Sequence, residues 1–144
     1  MNIGIIGEGA IGRYVAETLR GTGLGPRVLL TRSGPVGAAE GVERVRSAAE
    51  LPGDTDLMVD CAGHAALAQH GPAILERGID LITVSLGALA DPKLEAALTD
   101  TARRGGAQLH LASGAIGALD ALRAARVGGL ETVTYTGRKP PRGW

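Results

Sequence analysis

The chain has no phenylalanine, one tryptophan, two tyrosines and one cysteine among its 144 residues. With so few rings, a core has to be assembled from Leu, Ile, Val and Ala, and a hydrophobic content of 44% supplies enough of them. A single thiol, Cys61, excludes an internal disulfide framework and fits a reducing compartment. No apolar run approaches the about 20 residues that span a bilayer. The chain opens directly on an apolar segment and lacks the basic, apolar, small-residue order of a signal peptide. Neither sign of charge is in excess, with 15 Lys+Arg against 15 Asp+Glu, so no global field draws nucleic acid or an anionic membrane. His64, His70 and His110 lack metal-ligand spacing, and with one Cys no metal site is expected. These absences point to a soluble, cytoplasmic domain with no nucleic-acid or membrane partner.

Glycine is abundant, with 23 residues, and implies many tight turns or close backbone approaches. Short apolar runs alternate with segments of helical period. "NIGIIG" (2–7), "RVLL" (27–30), "DLMVDCA" (56–62), "DLITVS" (80–85) and "QLHLAS" (108–113) are predicted strands. Most are apolar on both faces, as strands covered by helices on each side should be. "VERV" (42–45) is a weaker strand near an edge, and "RSGPVGAAEG" (32–41) is a loop. Between them, Ile11, Tyr14, Val15 and Leu19 share one helical face, and Leu67, Ile74 and Leu75 mark a second helix stopped at Gly78. Leu94, Ala97, Leu98 and Thr101 mark a third, opened by Asp91-Pro92 and closed by "RRGG". Ile116, Leu119 and Leu122 begin a fourth. Such alternation predicts an α/β fold, a doubly wound parallel sheet with right-handed crossovers. Ligands of such sheets bind beyond the carboxyl ends of the strands.

The first strand is followed by "GEGAIG", Gly7-x-Gly9-x-x-Gly12, closing a strand and opening an amphipathic helix. That context is what the dinucleotide fingerprint of a Rossmann-type sheet requires. Gly7 permits the tight turn, Gly9 lets a pyrophosphate approach the backbone, and Gly12 lets helix and strand pack closely. The helix N-terminus then offers free N–H groups to the phosphates. The fingerprint's next element is an acid about 20 residues on, which bonds the ribose 2′-hydroxyl. Here the second strand ends "LLTRS", with no acid at Thr31, Arg32 or Ser33. Arg32 either meets a 2′-phosphate or is a solvated loop arginine; NADP is expected to bind at least as well as NAD.

The later strand ends are small. Cys61-Ala62-Gly63 leaves room for the cofactor's ribose or nicotinamide, and His64 falls in the first turn of the next helix. His70 falls within that helix and His110 inside a strand, and neither has a role legible in the sequence. Cys61 is expected to be a small buried hydrophobe. "SLGALAD" (85–91) and "SGAIGALDAL" (113–122) are Ser-Gly turns whose backbone N–H groups suit a nicotinamide amide or a substrate carboxylate.

"GEGAIG", "CAGHAALAQHG", "ILERGIDLITVSLGALAD", "SGAIGALDALRAA" and "YTGRKPPRGW" together resemble, in order and spacing, the N-terminal half of L-aspartate dehydrogenases. The resemblance runs from Asn2 to Trp144, with the "SGAIGALDAL" and "TGRKPP" segments its distinctive parts. It implies a homodimeric enzyme that uses NAD or NADP to oxidise L-aspartate to iminosuccinate. That product yields oxaloacetate and ammonia with water, or enters pyridine-nucleotide biosynthesis. By the same resemblance Gly7, Gly9, Ala10, Ile11 and Gly12 hold the pyrophosphate. Ala62, Gly63 and His64 border the ribose and nicotinamide, and Ser113, Gly114 and Ala115 flank the nicotinamide end.

In that family a second domain follows "RKPP" and carries the acid/base histidine, so no catalytic residue is assigned within the chain. Residues 1–128 are expected to form the dinucleotide-binding domain. The strand-like "VTYT" and the basic, proline-rich stretch after it, within 129–144, start a second, catalytic domain. Arg138 and Lys139 are either substrate-carboxylate ligands or exposed basic residues of an interdomain strand. Turnover by these residues alone should be weak or absent. Two other classes stand beside this one: a dihydrodipicolinate-reductase-like or homoserine-dehydrogenase-like oxidoreductase, and a non-enzymatic nucleotide-binding module.

Overall fold

A computed structural model describes residues 1–39, 41–113, 119–136 and 138. They fall into two units, 1–114 and 115–144.

The first unit is built on a seven-stranded sheet. Its strands are β1 (Ile3–Ile6), β2 (Val28–Leu30), β3 (Gly37–Ala39), β4 (Val42–Val45), β5 (Leu57–Asp60), β6 (Asp80–Thr83) and β7 (Leu109–Leu111). They lie in the order β3-β4-β2-β1-β5-β6-β7. Every pairing is parallel except that of β3 with β4. Without β3, this is the doubly wound order in which the chain works outward from β1 in one direction and then returns to continue from β5 in the other. The five strands predicted from apolar runs between residues 2 and 113 all form. "VERV" pairs with β2 and sits one place in from the edge. The edge itself is β3, within the stretch expected to be loop. Gly37 sits at φ 112°, a backbone that favours glycine, and Gly41 at φ 77° reverses the chain between the two strands. A short Gly-Ala-Ala strand carries no apolar alternation, so nothing in its side chains announces it.

Helices α1 (Ala10–Gly21), α2 (His64–Glu76) and α3 (Pro92–Gly105) follow β1, β5 and β6, and short 3₁₀ turns occupy Ala48–Glu50 and Leu86–Ala90. The larger core cluster joins Ile6, Val28, Leu30, Met58 and Leu81 of the sheet to Leu67, Ile74 and Leu75 of α2 and Leu98 of α3. The smaller joins Ile5, Leu29 and Val42 to Ala16 of α1, with Val15, Leu19, Val59 and Cys61 at its margin. Alternate residues of β1, β2 and β5 thus face opposite layers, which is why those strands read as continuous apolar runs. Helix α3 begins as predicted, the Asp91 carboxylate accepting the Lys93 N–H at 2.9 Å with Pro92 behind it, and it ends on Gly106 in the left-handed region.

The face of α1 differs from expectation. Val15 and Leu19 pack inward, but Ile11 and Tyr14 are 57% and 71% exposed. The seam is instead Gly12, Val15, Ala16 and Leu19, turned by one residue. A Cβ placed on Gly12 would run into the carbonyl oxygen of Gly7. The helix therefore docks through its glycine, and the apolar side chain before it is left outside.

The second unit contains α4 (Leu119–Val127), with Asp120 in its first turn and Arg126 in its last, as the helix dipole favours. It stops at Gly128 and Gly129, the latter at φ 87°. The strand expected at "VTYT" is not formed: residues 131–136 carry no regular structure, and Val133 and Tyr135 are exposed. An extended segment becomes a strand only by pairing its N–H and C=O groups with a neighbour. Ile116, Lys139 and the closing Pro-Pro and Trp144 lie outside the described residues.

The glycine contact gives a paired prediction. Gly12→Ala should lower unfolding stability by about 1–3 kcal/mol through overpacking. Gly9→Ala, where a Cβ meets nothing within 4 Å, should stay within about 0.5 kcal/mol. Urea denaturation of the two variants checks this; equal midpoints would show that the helix is not seated through Gly12.

Candidate functional site

The reversal of strand order between β1 and β5 opens a crevice at the carboxyl ends of the strands. A cleft of about 420 Å³ occupies it, lined on one side by Gly7, Glu8, Gly9 and the Leu30–Ser33 turn, and on the other by Cys61, Ala62, Ala65, Ala66, Gln69 and His70. The floor is tied together by backbone hydrogen bonds. The Gly7 N–H donates to Leu30 O at 2.8 Å, the Cys61 N–H to Ile6 O at 3.0 Å, and the Thr31 N–H to Val45 O at 3.0 Å.

Two helices start at this cleft, and both are capped by glycine. Gly9 caps α1 and Gly63 caps α2, neither with a side-chain hydrogen bond. By the geometry of a helix start the first N–H groups have no acceptor a full turn back, although in α2 the Ala66 N–H already donates to Gly63 O at 3.0 Å. No acidic side chain occupies the first turn of either helix. Helix α3, whose Asp91 carboxylate already accepts a first-turn N–H, shows the other way of meeting the same need. The position a Cβ of Gly9 would take is open. Gly7 at φ 97° and Gly63 at φ 91° hold backbone conformations that side-chain-bearing residues rarely adopt, and a Cβ on Gly7 would lie 2.8 Å from that of Ala62. The two turns therefore pack against each other with donors directed to the same space. That arrangement suits a diphosphate group.

Of the predicted site residues, the structure brings Gly7, Gly9, Arg32 and Ala62 to the walls of this one cleft. Gly63 and His64 follow Ala62 directly, and Ala10 and Ile11 are exposed at the start of α1, while Gly12 is buried beneath it. The His64 ring rests on the turn after β6, where a Cβ on Gly87 would lie 2.7 Å from it. Ser113 lies beyond β7, exposed, and does not line the cleft. Gly114 and Ala115 are outside the described residues.

Several participants had no signal in the sequence. Arg46 donates to the carbonyl of Thr31 at 2.9 Å and also to that of Gly34, which fixes the turn carrying Arg32. Arg44 pairs with Glu8 inside the glycine turn at 3.1 Å, and Arg13 donates to the Glu8 carbonyl at 2.9 Å. His70 is buried on the α2 wall of the cleft, and burial holds its imidazole below the usual histidine range. Asp60, the last residue of β5, is fully buried and accepts hydrogen bonds from Thr83, Ser85 and the Ala62 N–H. No aromatic or charge pattern marks these residues; each acquires its role from partners far along the chain. Among the described residues no cluster of His, Cys, Asp and Glu suits a metal ion.

Cys61 departs from the expected buried hydrophobe. It is half-buried on the cleft wall, and burial, with a lesser contribution from the Asp60 charge, pushes its thiol up to about 11. The proton therefore stays on sulfur throughout the neutral range. Alkylation by iodoacetamide at pH 8 should run about two orders of magnitude slower than for a free cysteine, rising steeply toward pH 10–11. A pH–rate profile measures this; a midpoint near the free-thiol value would show that the Asp60 charge and the cleft wall do not act on Cys61.

Comparison with known proteins follows the same lines. Residues 7–112 match the family model described as the NAD-binding domain of homoserine dehydrogenase. The whole chain is 47% identical to an L-aspartate dehydrogenase of Ralstonia nicotianae and 50% identical to one of Ruegeria pomeroyi, spanning 57% and 53% of their lengths. Among solved structures, the crystal structure of aspartate dehydrogenase from Thermotoga maritima superposes with a TM-score of 0.67 at 27% identity, over 86% of this chain and 50% of that one. NAD or NADP is the cofactor that this fold and these relatives support. The chain belongs to the NAD-binding domain family named for homoserine dehydrogenase, and it spans about half the length of the L-aspartate dehydrogenases it matches.

Proposed function

We propose that the chain is the cofactor-holding half of an enzyme that oxidises L-aspartate to iminosuccinate, which gives oxaloacetate and ammonia or feeds pyridine-nucleotide biosynthesis. The observation that carries this reading is the identity of 47% and 50% over the whole chain to two proteins named L-aspartate dehydrogenase. In this reading residues 1–128 hold the dinucleotide and 129–144 lead toward a substrate domain. The working protein is a cytoplasmic homodimer.

When bound, the nicotinamide accepts the electron pair removed from the substrate. The chain's own residues bind and orient it. The N–H groups of Gly9, Ala10, Ile11 and Gly12 take the pyrophosphate, the tight turn at Gly7 aiming them. Ala62, Gly63 and His64 border the ribose and the nicotinamide ring. Arg32 takes a 2′-phosphate, on a turn held rigid by the two hydrogen bonds of Arg46. That rigidity supports the cofactor role of Arg32 over the solvated alternative.

Fluorescence titration tests the Arg32 assignment. NADPH should bind at least as tightly as NADH, and Arg32→Ala should weaken NADPH about tenfold, the loss of one charge-assisted contact. NADH should change by less than about twofold on the same scale. A clear NADH preference, unchanged in the variant, removes Arg32 from the site.

Turnover tests the rest. The 144-residue chain should bind cofactor yet oxidise aspartate at least about a hundredfold more slowly than a full-length dehydrogenase. In this reading, orientation of the substrate and a positioned acid/base come from residues other than these. A stopped assay with aspartate and, in parallel, homoserine separates the readings, since the matching family model bears the homoserine dehydrogenase name. Rapid aspartate oxidation by the chain alone would overturn the division of labour, and a preference for homoserine would overturn the substrate.

A further inference from the structure

One acid at the site is used by none of these roles. Asp60 is fully buried, with Ile6 of β1 and Thr83 of β6 as its neighbours across the sheet. Its Oδ2 accepts from the hydroxyls of Thr83 at 2.8 Å and Ser85 at 2.6 Å, and its Oδ1 accepts the Ala62 N–H at 3.0 Å. The Thr83 hydroxyl in turn accepts the Ser85 N–H at 2.9 Å. Three donors thus converge on one carboxyl group. Among the described residues no cation pairs with it; the ion pairs lie at other acids. The ionisable groups nearest it along the chain are Cys61, whose thiol stays protonated, and His64, whose ring rests on Gly87.

Burying a carboxylate without a cation is costly. Tying two turns together does not require it, because a neutral Asn or Thr bridges such gaps at lower cost. The charge lies directly behind the cleft: the Ala62 amide that it holds belongs to a residue of the cleft wall. Cys61 on the same wall registers the field, the Asp60 charge adding to the burial that raises its thiol.

Building on the dinucleotide reading above, we propose that Asp60 sets the preference of the cleft for the oxidation state of its cofactor, its buried charge favouring the cationic ring of NAD⁺ over the neutral ring of NADH. A ring in van der Waals contact with Ala62 would lie about 7 Å from the carboxylate, adding a contact of about 4 Å to the hydrogen bond. At that separation, in a partly buried site, the attraction corresponds to about a tenfold preference. Asp60 touches no reacting atom; it acts through its field, and the hydrogen bonds of Thr83, Ser85 and Ala62 keep it in place.

The test is calorimetric titration of the unmodified chain and Asp60→Asn with NAD⁺, NADH and ADP-ribose. In the variant, the Kd for NAD⁺ should rise about tenfold while those for NADH and ADP-ribose change by less than about twofold. Equal weakening of all three would make Asp60 a scaffold only and overturn the proposal, as would no change in the NAD⁺ to NADH ratio. If Asp60→Asn does not fold, Ser85→Ala serves. It keeps the charge and removes one donor that partly neutralises it, so the ratio should move further toward NAD⁺, and a parallel loss of both forms overturns the proposal. ADP-ribose separates the two levels of inference: failure of all three ligands to bind the unmodified chain would sink the cofactor reading itself, whereas ADP-ribose binding with an unresponsive ratio sinks only the role of Asp60.

Discussion

Helix α1 reaches the mouth of the sheet only because Gly12 has no Cβ to strike the carbonyl oxygen of Gly7. That contact sets both the depth and the rotation of the helix on β1. Depth decides that the first-turn N–H groups open on the cleft, and rotation decides that Ala16 and Val15 meet Ile5 and Leu29. The same turn is pinned from the other side, where Gly7 meets Ala62 and its amide donates to Leu30. A single close approach thus couples the packing of one helix layer to the shape of the ligand space. The two glycines act differently: Gly12 lacks a side chain where one would strike the sheet turn, and Gly9 lacks one where the space is open.

The three long helices of the first unit divide by how their N-termini are completed. α3 satisfies its own first turn with Asp91. α1 and α2, which begin at the cleft, are capped by glycine and leave donors for something else. A helix start with no acidic cap is a position that an anion suits. Around the cleft, charged side chains serve as struts: Arg44 on Glu8 and Arg46 on the Thr31–Gly34 turn use their forked donors to hold backbone in place.

Asp60 shows how the electrostatics of such a region follow from the same constraint. Its carboxyl group accepts from two hydroxyls and an amide, and it contributes, after burial, to raising the thiol of Cys61 next door. It joins the strand end at Ala62, on the cleft wall, to the buried Ser85 after β6.

Much of this was legible from residue order alone. Apolar runs with period-breaking glycines determined the parallel strands, "GEGAIG" determined the turn and the helix it opens, and Asp91-Pro92 and Gly106 determined the ends of α3, because each of these is a local preference of the backbone. Tertiary structure alone decided the rest. The seam of α1 moved off Ile11 and Tyr14 because a glycine contact outweighed apolar periodicity. The edge strand Gly37–Ala39 exists only by pairing with Val42–Val45. "VTYT", apolar enough for a strand, pairs with no strand among the described residues and carries no regular structure. Asp60 finds its hydroxyls 23 and 25 residues away, and Arg46 holds a turn whose carbonyls lie 15 and 12 residues before it. Such roles depend on which strands become neighbours, and no local preference of the chain encodes that.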